Sequence, residues 1–169
     1  MKIIMRWILV LICISMIFRF SNQPLSDQDL RPTIEKHPEI IKIVQKMPQI
    51  AFYYHDRLVD SHEDTVSFIH FMLRKLAHLV LYGTLGLLIL YGFNGTGKIK
   101  PTYWILTGFL VFAIACADEI NQFNNPARTG CKEDIILDFT GFLIFSLLAM
   151  FIYYIKTRYQ NRGQRIENR

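Results

Sequence analysis

Four apolar runs, residues 3–20, 68–93, 103–123 and 135–155, decide what this chain can become. Each is close to or above the ~20 residues a helix needs to cross ~30 Å of hydrocarbon. Lipid offers no hydrogen bonds to a backbone, so runs of this length fold as helices that satisfy their own N–H and C=O groups. The expected fold class is therefore all-α, a four-helix transmembrane bundle, in a chain of 169 residues of which 51% are hydrophobic. The first run opens with Lys2 and Arg6, as a secretory signal would. Ser21-Asn22-Gln23-Pro24 offers no small-x-small cleavage site, however, and three more spans follow, which favours an uncleaved helix.

Residues 21–67 form a long polar first loop, broken by Pro24, Pro32, Pro38 and Pro48. After Pro38 the apolar residues Ile40, Ile41, Val44 and Met47 recur at helical spacing, which predicts a short amphipathic helix on the membrane surface or over the mouth of the bundle. Phe52, Tyr53 and Tyr54 are expected at the membrane interface. Ser61 with Asp64 three residues on is a loose helix-start signature, placing the start of the second long helix ahead of its apolar run. Gly95-Thr96-Gly97-Lys98 lacks the rest of a phosphate-loop pattern and any preceding strand, so it reads as a turn.

The domain thus covers residues 1–158, and residues 159–169 are expected to be a basic, disordered cytoplasmic tail. Cys13, Cys116 and Cys131 have neither disulfide nor metal-type spacing. The net charge of +5 comes from Lys and Arg dispersed over loops and tails, which argues against a nucleic-acid groove and for anionic lipid head groups. Nine of the 19 Lys and Arg flank span ends on the side of the termini, and the other ten are spread over longer segments. That density places both termini in the cytoplasm and the first loop outside it.

Against this apolar background stand Asp118, Glu119, Gln122, Asp134 and Asp138, each carboxylate costing roughly 2.5–3.5 kcal/mol at the centre of a membrane helix. Arg74, His78 and Tyr82 share one helical stripe; Asp118 and Gln122 share another; Asp134, Asp138 and Gly141 a third. In a four-span chain the end of span one, the start of span two, the end of span three and the start of span four lie at the same surface. The polar stripes therefore face each other and line a cavity open to the outer side. Gly83, Gly86, Gly108 and Gly141 read as close-packing positions between helices.

Phe20-Ser21-Asn22-Gln23, Arg74-Lys75-x-Ala77-His78-x-x-x-Tyr82-x-x-Leu85-Gly86, Asp118-Glu119-x-x-Gln122, Pro126-x-Arg128 and Asp134-x-x-x-Asp138-x-x-Gly141, in this order, resemble the VanZ-like family of bacterial membrane proteins. The resemblance covers the chain apart from the first loop and the tail. It implies an integral membrane protein of the cell envelope and a link to teicoplanin resistance, without supplying a reaction. Asn22 departs from a common second Ser, Asn124-Asn125 from frequent apolar residues, and the first loop is longer than usual.

Three functional classes follow. In the first, the protein binds or handles an anionic or glycosylated envelope lipid: Arg74, Lys75 and Arg128 contact phosphate, while Gln23, Tyr82, Asp118, Gln122 and Asp134 complete the head-group site. In the second it is a membrane hydrolase or transferase on such a lipid, with His78 and a carboxylate, Asp138 or Glu119, as acid and base and room for a divalent metal. In the third it is a non-catalytic subunit of an envelope complex. The residues spell no Ser-His-Asp spacing, HExxH or phosphatase motif and identify no cofactor or metal-ligand set. Structural readings stand beside each role: His78 as a hydrogen-bond bridge between helices, the acids as partners of Arg74 and Arg128, and Asp134 as a helix-dipole acid.

Overall fold

The computed structural model describes residues 2–55, 57–96, 98–123 and 131–167. Its long elements are α1 (Lys2–Ser21), α4 (Thr65–Asn94), α5 (Pro101–Phe123) and α6 (Lys132–Glu167). Each of the four is long and apolar enough to cross a membrane. Between α1 and α4 lie a short 3-10 turn (Leu25–Gln28), α2 (Arg31–Ile34), α3 (Pro38–Lys46) and a hairpin of β1 (Ala51–Tyr54) and β2 (Arg57–Asp60).

Helix α4 is the hub, packing against α1, α5 and, most extensively, α6. The core is a set of stripes: Val10, Cys13 and Ile17 from α1, Tyr82, Leu85 and Ile89 from α4, Val111 and Ala115 from α5, and Phe142 from α6. Outside the bundle large apolar side chains stand exposed, Leu11, Leu76, Phe109 and Leu147 among them, as lipid contact requires. At one end Trp7, Phe93 and Tyr103 form an aromatic chain with centroids 5.1 and 5.2 Å apart. There Gly95 closes α4 at φ +65°, a left-handed position that favours glycine, and its N–H bonds Tyr91 O.

Local chemistry explains three departures from the sequence reading. The N-cap of α4 is Asp64, whose carboxylate accepts from Ser67 N–H (3.0 Å). Ser61, expected to start the helix, instead accepts from Ile50 N–H and closes the hairpin base. The hairpin has no counterpart in the sequence reading: strand alternation turns Phe52 and Tyr54 onto Phe71 of α4 and leaves Tyr53 exposed. Finally, α6 continues through the supposed disordered tail to Glu167, because residues 156–167 hold no Pro and several good helix formers.

The amphipathic α3 forms as expected after Pro38, with Ile41 and Val44 half-buried and Ile40, Ile43 and Met47 exposed. Helix α2 docks on α4 where Leu30 N–H donates to His70 Nδ1 (3.2 Å). Beside it the Arg31 guanidinium holds the Asp29 carboxyl at about 2, below the ordinary carboxylate range.

Candidate functional site

At the end of the bundle opposite the aromatic chain, the ends of α1 and α5 and the start of α6 converge on the flank of α4. Asn121 Nδ2 on α5 donates to Asn22 Oδ1 just past α1 (3.0 Å). Cys131 N–H, just before α6, donates to Glu119 Oε2 on α5 (2.6 Å). Lys75 of α4 and Tyr54 of the hairpin both reach Asp134 in the first turn of α6.

Between α1, α4 and α5 at this end lies a cavity of about 440 Å³. Its apolar wall is Ile17, Phe20, Ala77, Val80 and Leu81, and its polar wall is Arg74, His78, Thr84, Asp118 and Gln122. Phe20 and Val80 of this wall are themselves exposed, so the cavity is not enclosed. Gln28 of the 3-10 turn closes one edge, held by Phe20 O (2.6 Å) and Gln23 Oε1 (3.3 Å).

Behind the polar wall the hydrogen bonds run across three helices. Tyr82, fully buried, donates its hydroxyl to Asp118 Oδ2 (3.2 Å), and Gln122 Nε2 donates to the same oxygen (3.1 Å). His78 Nδ1 lies 3.2 Å from Asp138 Oδ1, and its ring stacks over Tyr82. Asp118 and Asp138 are 1% and 0% exposed, yet Asp118 Oδ1, Asp138 Oδ2 and Glu119 Oε1 have no partner among the described residues. A buried carboxylate oxygen without a donor is costly, a cost that a proton, a water or a bound ion lowers.

The rim is a separate, closed unit. Asp134 accepts from both Lys75 Nζ and Tyr54 Oη, and the Lys75 ammonium sits over the Tyr54 ring, 4.4 Å from its centroid. Burial, with Asp134 as acceptor, raises the Tyr54 phenol above its ordinary value and keeps it a donor. Burial likewise pushes the Cys131 thiol up to about 11.

The cavity thus brings together Arg74, His78, Asp118 and Gln122, with Tyr82 and Asp138 directly behind them. Lys75 and Asp134, expected to contact a ligand, are committed to each other and to the hairpin. Glu119 turns toward the start of α6, as its ~100° offset from Asp118 on a helix requires, and Gln23 lies against Gln28 at the cavity edge. Arg74 makes no ion pair with a carboxylate among the described residues, and Arg128 lies outside them. Sequence reasoning missed Tyr54, which period-two alternation with Phe52 could have flagged, and Gln28, for which the sequence holds no signal.

The family profile described as VanZ/LLP1 matches residues 6–153. No curated protein and no solved structure matches the chain. The profile reaches into all four long helices and includes every residue of the cavity wall, and on that match the chain belongs to the VanZ/LLP1 family.

Proposed function

We propose that the protein binds an anionic or glycosylated lipid of the bacterial envelope, head group in the cavity and acyl chains against the outside of the bundle. Both termini lie in the cytoplasm in this reading, and the cavity sits beneath the outer leaflet. One observation carries it: the cavity joins a cationic and hydrogen-bonding wall to an apolar wall with exposed Phe20 and Val80, on helices apolar enough to sit in lipid. The Arg74 guanidinium, without a carboxylate partner among the described residues, is a fork for a phosphate oxygen pair, and Asp118 and Gln122 are partners for sugar hydroxyls or an amine. The family's link to teicoplanin resistance fits a protein that handles such a lipid.

Native mass spectrometry of the protein released gently from membranes tests this. Wild type is expected to retain an anionic lipid, and Arg74→Ala to lose at least about tenfold of that occupancy, the scale of one charge-assisted hydrogen-bond pair. Retention of only neutral bulk lipid by the wild type sinks the proposal.

A second reading draws on the His78–Asp138 pair, a carboxylate orienting an imidazole at a cavity wall. It makes the protein a hydrolase or transferase on the same lipid. Product released from labelled envelope lipid by purified wild type, and not by His78→Ala, separates an enzyme from a binder.

A further inference from the structure

The polar wall leaves two buried carboxylates each half satisfied. Among the described residues, Asp118 has Oδ2 held by Tyr82 and Gln122 and Oδ1 without a partner, and Asp138 has Oδ1 facing His78 and Oδ2 without one. A proton shared between the two carboxylates would satisfy that pair without engaging His78. A cation takes lone pairs from both carboxylates at once. One ligand atom each from His78, Asp118 and Asp138 lies within 4.8 Å of the other two. An ion bound at 2.0–2.2 Å to such ligands holds them about 3.4 Å apart in a tetrahedron, so small side-chain rotations close the set.

We propose that His78, Asp118 and Asp138 bind a divalent transition ion of the Zn²⁺ or Mn²⁺ kind. The ligand set decides the class. Ca²⁺ takes six to eight oxygens and Mg²⁺ a near-octahedral oxygen shell, whereas one imidazole with two carboxylates suits Zn²⁺, Mn²⁺ or Fe²⁺. Tyr82 and Gln122 grip the far oxygen of Asp118, the outer-shell support that aims a ligating carboxylate. His78 and Asp118 also line the cavity, so the positions that three protein ligands leave open face the space a ligand would fill. The site needs no lipid to form and goes beyond the binding function proposed above.

Full-length protein, purified in detergent and stripped with a chelator, is titrated with ZnCl₂ and MnCl₂. One ion per chain is expected, with affinity weakened about 100-fold or more in Asp118→Asn and Asp138→Asn, and about tenfold in Tyr82→Phe, the range seen when ligand support is removed. Electron paramagnetic resonance of the Mn²⁺ form should show nitrogen coupling from one imidazole, lost in His78→Gln. Wild-type affinity in both asparagine variants means an adventitious ion only and overturns the proposal. So does a wild type that binds nothing, or bound Mn²⁺ without nitrogen coupling, a result that holds even if the asparagine variants fail to fold.

Discussion

Replacing Gly141 by alanine is expected to cost about 1–3 kcal/mol of stability, and replacing it by leucine to prevent the bundle from assembling. A Cβ at position 141 would lie 2.3 Å from the Leu79 carbonyl oxygen and 3.0 Å from its carbon. Those atoms are backbone of α4, the helix that α6 packs against most extensively, and no side-chain rotation can clear them. The two helices must separate. The close approach is mutual: a Cβ at Gly83 would meet Gly141 O at 3.0 Å and Phe145 Cδ2 at 2.6 Å. Gly108 is the control, since its Cβ would meet only rings, Phe142 Cε1 at 3.2 Å being nearest. Thermal unfolding in detergent, followed by size-exclusion chromatography, should rank Gly141→Leu below Gly141→Ala and both below Gly108→Ala. A Gly141→Leu protein that elutes and melts like wild type contradicts the packing described here. Because Gly141 shares its stripe with Asp134 and Asp138, separation would also draw Asp138 away from His78.

Asp134→Ala is the second large effect, about 3–5 kcal/mol. The Lys75 and Asp134 side chains are 14% and 7% exposed, so truncating the acid strands an ammonium that solvent reaches poorly. It also frees the Tyr54 hydroxyl and with it the hairpin. The same reasoning predicts a strong departure from additivity. Lys75→Met in the Asp134→Leu background removes both charges, and replacing a buried pair by apolar groups is close to neutral, so the double variant should be more stable than Asp134→Leu alone. Chemical denaturation of the set measures this. An Asp134→Ala loss under about 1 kcal/mol would mean that the rim pair behaves as an exposed one.

Much of this was legible in the sequence because membrane folding leaves few choices. Four long apolar runs fix four helices, and chain connectivity alone places Gln23, Arg74, Asp118 and Asp134 at one end. The i, i+4 spacing of Asp134 and Asp138, and of Arg74 and His78, put each pair on one face. What spacing could not give was partnership. Lys75 is adjacent to Arg74 and chemically similar, but the turn of α4 sends it to Asp134 while Arg74 remains at the cavity. Glu119 went to the Cys131 N–H for the same rotational reason. The hairpin was hidden because its strands are four residues each and its turn, at His55 with φ +47°, lacks the Asn-Gly or Gly-Gly pair that would announce it. The helical tail was hidden because a charged segment with good helix propensity reads the same whether folded or not.

The central claim is that the polar ends of four membrane helices line one water-accessible cavity. Adjacent residues test it: Ala77 lines the cavity, whereas Leu76, 56% exposed, faces away into the surroundings of the bundle. In a background with Cys13, Cys116 and Cys131 replaced, a membrane-impermeant maleimide is applied to intact cells bearing Ala77→Cys, Leu76→Cys or Asn22→Cys. The account predicts that cysteine at 77 and at 22 is labelled from the outside while cysteine at 76 is not. Equal inertness at 76 and 77, or labelling of 77 and 22 from opposite surfaces, contradicts it.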